Sequence, residues 1–383
     1  MSPRFRWQVL TAGICSLVLT IGLARFAYTP MLPLMKAQAG LDDALGGLLA
    51  TVNYAGYMAG TLIATAVSAP ATRLRLYRAG LLAGVIGVAG MGMTTDPWLW
   101  MILRFVAGVS AAGGMLLGSG MVLAWLVAQG RRPELGVHFA GLGLGIVVSG
   151  VLVLLMMAWP WDRQWLGMGV LAAVLLIPAW GWMPMMAPLA RKAAEGPVRS
   201  GGGSGWLLVP AYFCAGVGFV VSATFLVAVT ERVPDLRGTG PTVWVVTGLA
   251  AMPACILWDR VARRLGDIPA LIAAYAVQIV SILLPVLSDG LIAALAGAVL
   301  FGATFIGIVA MTLALAGRQF PANPSQAMAR LTLSYGVAQT IAPGITGFLA
   351  DRSGSYNAGL IMAAVAMGVG VLMLAAMRTP KGA

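Results

Sequence analysis

The chain is divided into long apolar segments separated by short polar ones, and this pattern limits its fold more than any other feature. A helix needs roughly 20 mostly apolar residues to cross the ~30 Å hydrocarbon core of a bilayer, and twelve segments reach about that length. They lie at about 8–34, 44–68, 79–95, 98–127, 135–158, 165–186, 206–230, 241–258, 268–286, 291–316, 326–350 and 356–377. Hydrophobic residues make up 60% of the 383 residues and charged residues 9%, which leaves too little polar surface for a soluble protein. We predict an all-α membrane protein with twelve transmembrane helices.

The longest polar segment, residues 187–205, separates two similar halves. It contains scattered charges and a glycine-rich run at 201–205, which is the composition of a flexible linker. A shift of 196 residues places Gly22 on Gly218 and Phe105 on Phe301, and internal repeats of this size are typical of transporters. The sequence therefore predicts two pseudo-symmetric six-helix bundles, at residues 1–186 and 206–383, joined by the linker.

The distribution of positive charge predicts the orientation. The net charge is +12, but the basic residues form no stripe with interleaved aromatic residues, which argues against nucleic-acid binding. With both termini in the cytoplasm, sixteen of the 24 Lys and Arg residues fall on the cytoplasmic side, five outside and three within the membrane. We expect a multi-pass membrane protein with both termini cytoplasmic, whose first apolar segment is a retained helix and no signal peptide.

Three arginines lie inside the apolar segments, whereas no aspartate or glutamate does. A charge at the centre of a membrane helix costs roughly 2.5–3.5 kcal/mol, so Arg25, Arg104 and Arg330 are candidates for a functional site. Cations without internal anions indicate that an anion arrives from outside. The alternative is that the guanidinium groups bond to backbone carbonyls at helix breaks, which we favour for Arg104, and that Arg330 reaches the cytoplasmic surface from near a helix end.

The residues needed for several kinds of chemistry are missing. The three lysines belong to no phosphate-binding loop, and the single histidine belongs to no zinc-hydrolase motif. The three cysteines show no metal-ligand spacing. We therefore expect no enzyme, no cofactor and no metal.

Several motifs resemble those of the major facilitator superfamily. The segment Leu103–Gly108 is similar to the family's Arg-x-x-x-Gly motif, residues 141–145 form a glycine-rich Gly-x-Gly-x-Gly pattern, and residues 259–264 match an Asp-Arg-x-Gly-Arg-Arg loop with Ala262 in place of glycine. A narrower resemblance, to the YbfB/YjiJ-like bacterial branch, rests on residues 22–30 and 222–226. The resemblance implies a secondary transporter that works by alternating access, with Arg25 and Arg104 in one layer of a central cavity and Asp259 beside basic residues that latch one conformation.

We expect the chain to be a monomer in the bilayer that transports a small-molecule substrate, a small organic anion of carboxylate type. The expected substrate-binding residues are Arg25, Tyr28, Asn53, Tyr57, Arg104, Ser222, Thr224, Tyr335 and Gln339. The expected gating or coupling residues are Arg104, His138, Asp259, Arg260, Arg263 and Arg330. Efflux of amphipathic drugs or metabolites is one alternative function, and a non-transporting sensor or lipid-handling protein is another.

Overall fold

The computed structural model describes residues 3–129, 135–186, 205–320 and 324–377, and these ranges contain helices and no β-strand. The predicted linker at residues 187–205 lies outside them, apart from Gly205. The described residues of the first half form eight α-helices. They are α1 (Pro3–Leu17), α2 (Tyr28–Ala39), α3 (Asp43–Ala66), α4 (Pro70–Met91), α5 (Pro97–Ala112), α6 (Ser119–Ala128), α7 (Leu135–Leu155) and α8 (Trp161–Gly181). Two π-helical segments, Val18–Phe26 and Gly113–Gly118, join α1 to α2 and α5 to α6.

The second half contains seven α-helices and two short 3₁₀ turns, Gly205–Leu207 and Pro234–Leu236. The helices are α9 (Leu208–Arg232), α10 (Gly240–Ala251), α11 (Ala254–Leu265), α12 (Asp267–Leu287), α13 (Leu291–Gln319), α14 (Pro324–Ser353) and α15 (Asn357–Ala376). Within the described ranges, nine helical stretches are long and apolar enough to cross a membrane, or ten if α10 and α11 together form one span. Helices α3 and α14 are not among the nine, because glycine, threonine and other polar residues lower their hydropathy.

Two predicted spans differ clearly from the structure, since the helix predicted at 79–95 already begins at Pro70 and the span predicted at 241–258 is bent. The segment predicted at 241–258 consists of α10 and α11, which are bent by 47° relative to each other. The bend lies at Pro253, which has no backbone N–H to continue the helix. After the bend, α11 continues to Leu265, so residues 259–264 lie on a helix and do not form the loop that the sequence predicted.

Glycines allow the helices to approach closely. A Cβ atom on Gly108 of α5 would lie 2.0 Å from the carbonyl oxygen of Asn53 on α3. The predicted glycine pattern of α7 faces two neighbours: Gly145 packs on Gly22 of the first π-helical segment, and Gly143 packs on α10 of the other half. Small residues are favoured at such contacts because lipid supplies no hydrophobic force that would hold membrane helices together.

Helices from the two halves pack against each other along several seams. Between α3 and α14, a Cβ atom on Gly47 would lie 2.4 Å from the Pro343 carbonyl oxygen, and the Gly344 backbone N–H donates to the Thr51 hydroxyl at 3.0 Å. Between α7 and α10, the indole N–H of Trp244 donates to the Ser149 hydroxyl at 3.1 Å. These seams bring the first π-helical segment and its arginine close to the second half.

Candidate substrate site between the two halves

Arg25 lies in a distorted part of the first membrane helix. The segment Val18–Phe26 is π-helical, and the Ala27 N–H accordingly donates to the Gly22 carbonyl, five residues back, at 2.8 Å. Two prolines follow within the next helical turns, Pro30 and Pro33. Insertions of this kind occur frequently at functional sites because they change where side chains point. Here the distortion positions the side chain of Arg25, a residue that is 8% exposed.

The Arg25 guanidinium is held by aromatic rings and one amide. Its central carbon lies 4.3 Å from the ring centre of Tyr54 and 4.6 Å from that of Tyr57, both on α3. Cation–π contacts at such distances are favourable by about 0.5–2 kcal/mol each. One terminal nitrogen donates to the Gln339 side-chain oxygen on α14, at 3.4 Å. The Nε atom is buried without a hydrogen-bond partner, and Arg25 forms no ion pair within the described residues.

Arg104 has different partners, because its guanidinium bonds to the backbone. Its Nη1 donates to the Ala24 carbonyl at 3.1 Å, and its Nε donates to the Leu49 carbonyl at 3.4 Å. The guanidinium also lies 4.3 Å from the ring centre of Tyr28. Arg104 on α5 therefore ties together the π-helical segment, α2 and α3. This arrangement corresponds to the bracing alternative that the sequence favoured for it.

Two other predicted binding residues also contact backbone atoms. The Tyr28 hydroxyl donates to the Gly46 carbonyl at 2.9 Å, which fixes α2 against α3. The Asn53 side-chain N–H donates to the carbonyl of Arg104 itself at 2.8 Å, whereas the Asn53 Oδ1 is buried without a partner. Both side chains thus surround Arg104 and support its position.

The second half contributes a stack of aromatic rings. The stack consists of Tyr212 and Phe219 on α9, Phe301 and Phe305 on α13, and Tyr335 on α14, and we call it the aromatic stack. Tyr212 and Tyr335 are 4.5 Å apart between ring centres, and Tyr335 and Phe219 are 5.9 Å apart. Five pairs of rings in the stack have interplanar angles of 30° or less. Tyr335 precedes Gln339 by one helical turn, so the stack lies next to the residue that contacts Arg25.

The phenylalanine rings of the stack are not among the predicted site residues. Phe301 and Phe305 are four residues apart on α13, which places them on one face, and Phe219 lies between them and Tyr335. The spacing of Phe301 and Phe305 is the only signal in the sequence, and it is equally typical of ordinary helix packing. Ser222 and Thr224 are buried on α9, on either side of Ala223, whose carbonyl accepts a hydrogen bond from Thr29 of α2. They therefore lie at a contact between the two halves.

The predicted gating residues do not form one group. His138 is fully buried on α7, with its Nε2 atom 2.7 Å from the Ser119 hydroxyl. Asp259 pairs with Arg263 at 2.5 Å within α11, so this ion pair joins no two helices. Arg260 and Arg330 are exposed.

A cluster of charges that the sequence did not predict lies where α2 ends and α3 begins. Asp43, at the start of α3, is buried and forms ion pairs with Lys36 of α2 and Arg232 of α9. It also accepts a hydrogen bond from the Tyr356 hydroxyl, next to α15. Arg232 in turn donates to the Gly354 carbonyl at 2.6 Å. We call these residues the Asp43 clamp, and it connects the two halves at this end of the molecule.

Two known proteins resemble the chain, one of them over nearly its whole length. An uncharacterized MFS-type transporter of Yersinia pestis, YPO1221/y2967, is 26% identical over 92% of this chain and 94% of its own. The uncharacterized MFS-type transporter YcaD of Escherichia coli is 29% identical over 40% of this chain and 41% of its own.

Solved transporter structures share the fold. The nucleoside transporter NupG superposes with a TM-score of 0.75 at 13% identity, covering 98% of this chain and 100% of NupG. A bacterial homologue of the human lysosomal transporter Spinster, in an inward-facing and unoccupied conformation, gives a TM-score of 0.65 at 15% identity, covering 98% of this chain and 96% of its own. The family model described as "Uncharacterised MFS-type transporter YbfB" matches residues 17–375, so this chain is a transporter of that family within the major facilitator superfamily.

Proposed function

We propose that the protein is a secondary active transporter that moves a small organic anion of carboxylate type across a bacterial inner membrane. In this proposal twelve helices span the membrane as two six-helix bundles, residues 1–186 and 206–383, and the site opens alternately to either side. Helices α3 and α14 are the spans with low hydropathy, and their packing on each other reduces the surface that they present to lipid. The protein acts as a monomer with both termini in the cytoplasm.

The single observation that carries the anion proposal is the environment of Arg25. Its guanidinium is buried at the seam between the halves, it contacts two tyrosine rings and a neutral amide, and its Nε has no partner. Asp43 is the only buried acidic side chain among the described residues, and Lys36 and Arg232 already pair with it. A carboxylate that entered the site would supply the missing acceptor for Arg25 by a charge-assisted hydrogen bond.

Alternating access requires contacts between the halves that can break and re-form. The Arg25–Gln339 hydrogen bond and the Asp43 clamp are such contacts, because each joins polar groups of the first half to the second. Binding of an anion would replace Gln339 as the acceptor for Arg25. The occupied protein would then have a weaker link between its halves, which supports a substrate-dependent change of conformation.

A ligand panel tests this function. Purified full-length protein in detergent is heated with acetate, succinate and other mono- and dicarboxylates, and with lipophilic cations for comparison. We expect some carboxylates to raise the melting temperature, because a ligand that binds only the folded state stabilises it by mass action. Arg25→Gln should abolish this stabilisation, and Arg75→Gln, which removes an exposed arginine of α4, should leave it unchanged.

Transport itself is measured with the stabilising carboxylate in proteoliposomes, with and without an imposed pH gradient. Uptake that Arg25→Gln abolishes supports the proposal. If lipophilic cations stabilise the protein and carboxylates do not, the anion proposal is wrong and efflux of amphipathic compounds replaces it. Uptake or exchange that proceeds without any gradient excludes obligatory proton symport.

A further inference from the structure

A cavity of about 600 Å³ lies between α11, α12 and α13, and its lining residues are separate from those around Arg25 and Arg104. Two aspartates and two arginines line it, and the remaining lining residues are apolar. We propose that this cavity binds one anionic phospholipid of the surrounding bilayer. The phosphate of the lipid lies at the arginines, and one acyl chain lies along α13.

The cavity extends from a bilayer surface into the hydrocarbon core. Asp267 begins the candidate span of α12, and Arg318 is the penultimate residue of the candidate span of α13, so the charged part of the cavity lies at the ends of two spans. Ala314 and Ala310 line the cavity four and eight residues before Arg318. At 1.5 Å per residue the cavity therefore reaches about 12 Å inward along α13. This depth lies within the ~30 Å hydrocarbon core, where acyl chains are located.

The inner part of the cavity has an apolar floor of small side chains. Ala310 and Ala314 are both exposed, and their spacing places them on one face of α13. Ile256 of α11, which is 50% exposed, lies beside this floor. An acyl chain suits such a groove, because it is apolar, flexible and already present at this depth of the bilayer.

Helix α11 has the composition of a helix that lies at a membrane surface. It is bent by 47° from α10 and carries Arg260, Arg263 and Arg264 near its end. The same helix exposes the aliphatic side chains of Leu257 and Leu265, by 45% and 58%. Helices that combine arginines with exposed aliphatic residues lie at the interface between water and lipid, where they attract anionic lipids.

The charges at the mouth of the cavity favour an anion over a zwitterion. The mouth has two ion pairs, which are Asp259–Arg263 at 2.5 Å and Asp267–Arg318 at 2.6 Å. Arg260 and Arg264 are exposed, and neither forms an ion pair with any residue that the structure describes. Ion pairs between largely exposed groups are weak, so the paired arginines can still donate to a phosphate. The mouth therefore has four arginines and two aspartates, and a zwitterionic headgroup would leave the excess of positive charge uncompensated.

The reactivity of Cys255 reports whether the cavity is occupied, because this thiol lines it. Full-length protein with Cys15 and Cys214 replaced by alanine is purified in detergent and treated with N-ethylmaleimide. Three compounds are added in turn. They are dioleoyl phosphatidylglycerol, dioleoyl phosphatidylcholine, which has the same chains and no net charge, and glycerol 3-phosphate, which has the phosphate and no chains.

We expect phosphatidylglycerol to slow the reaction at a concentration roughly tenfold lower than phosphatidylcholine does, because each arginine near the surface favours an anionic lipid by about fivefold. Glycerol 3-phosphate should have no effect. A protein that keeps Cys15 in place of Cys255 controls for changes in the detergent micelle. Cys15 is also partly exposed but lies on α1, outside the cavity, so the two lipids should alter its reaction equally.

A double variant assigns the preference to the mouth. Arg260→Gln combined with Arg264→Gln should reduce the preference for phosphatidylglycerol over phosphatidylcholine to within about twofold, since both unpaired arginines are lost. Arg75→Gln combined with Arg237→Gln is the matched control. It also removes two exposed arginines, and the preference should persist in it. Native mass spectrometry of the same samples counts the bound lipids, and this count decides if Cys255 does not react in the absence of lipid.

Three outcomes would overturn the proposal. The first is equal protection of Cys255 by the two lipids. The second is protection by glycerol 3-phosphate as effective as that by phosphatidylglycerol, which would assign the cavity to a soluble phosphate compound. The third is preferential binding of phosphatidylglycerol in mass spectrometry without protection of Cys255, which would place the lipid elsewhere. None of these outcomes bears on the proposed transport, because no carboxylate substrate is added and Arg25 is intact in every sample.

Discussion

At the scale of single residues, the two buried arginines differ in the groups that their guanidiniums contact. Arg104 donates to two backbone carbonyls from two different segments, and its own carbonyl accepts from Asn53. Arg25 contacts rings, and its hydrogen-bond partner in the other half is the side chain of Gln339. One arginine therefore belongs to the framework of the first half, and the other has donor capacity to spare.

This difference predicts opposite effects on stability. Arg104→Gln should destabilise the unliganded protein by about 2–4 kcal/mol, because hydrogen bonds from a charged group contribute about 1.5–3 kcal/mol each and two acceptors would lose theirs. Arg25→Gln should change its stability by less than about 1 kcal/mol, because the lost cation–π contacts are offset by the lost cost of burying an uncompensated charge. Melting temperatures in detergent without ligand measure both. A larger loss for Arg25→Gln than for Arg104→Gln would contradict these assignments.

The sequence could identify both arginines, since a charge inside an apolar segment is visible in any hydropathy profile. It could not identify their partners. Every residue has a backbone carbonyl, so nothing in the sequence marks those of Ala24 and Leu49 as partners. Only the folded chain shows that Arg104 reaches them. The aromatic stack was missed for a related reason, since phenylalanines such as Phe219 occur throughout membrane helices and only the near-parallel rings set these apart.

At the scale of helices, the Asp43 clamp shows how α3 is held against the second half. The carboxylate of Asp43 forms ion pairs with Lys36 of α2 and Arg232 of α9. It also accepts a hydrogen bond from the hydroxyl of Tyr356, just before α15. Removal of one partner of a buried ion pair leaves the others uncompensated, which is strongly unfavourable. Without the carboxylate, Lys36 and Arg232 would repel each other, so this end of the molecule would lose its main polar link.

Asp43→Asn should therefore open this end. Spin labels on cysteines at Ala37, near the end of α2, and Asn357, at the start of α15, report the separation of the halves there. We expect the variant to add a population at longer distance in pulsed electron paramagnetic resonance. The matched control is Asp42→Asn, because Asp42 is exposed and caps α3 through the Leu45 N–H, and asparagine caps helices equally well. An unchanged distance distribution in Asp43→Asn would mean that the clamp does not hold this end closed.

Most helix ends were predictable to within about five residues, with the start of α4 and the end of α11 as exceptions, but the distortions within the helices were not predictable. Hydropathy depends on composition over about 20 residues, so it locates a span and cannot resolve a π-helical insertion or a bend. The break between α10 and α11 had a visible signal in Pro253, yet proline is common in membrane helices and often leaves them continuous. Asp43 falls just outside the span predicted at 44–68, because a hydropathy profile does not show whether a polar residue at the edge of a span belongs to the helix.

At the scale of the whole molecule, the sequence predicted best those features that depend on contact with the lipid bilayer. Long apolar segments must be helical in a bilayer, since every backbone group needs an internal partner. Recognising a span by its apolar length is harder for α3 and α14, because their glycines and threonines contact each other instead of lipid. The two helices of this seam are therefore harder to recognise as spans than the other long helices of the described residues.

The positions of Lys and Arg near the ends of the spans predict how the protein is oriented in the membrane, and this orientation can be tested. Thr72, exposed on the first turn of α4, precedes Arg73, Arg75 and Arg78, whereas Ala37 lies at the opposite end of the predicted spans. Lys and Arg near the ends of spans are retained on the cytoplasmic side, so Thr72 should face the cytoplasm and Ala37 the outside.

Single cysteines at these two positions, in a protein whose three native cysteines are replaced, are treated with a membrane-impermeant maleimide in spheroplasts. Ala37→Cys should react in intact spheroplasts, and Thr72→Cys should react only after they are permeabilised. The reverse pattern would refute the proposed orientation and place the Asp43 clamp at the cytoplasmic end. If Asp43→Asn opens the end that carries Ala37, the expected labelling pattern would also mean that this conformation is closed toward the outside, so that the substrate reaches the site from the cytoplasm.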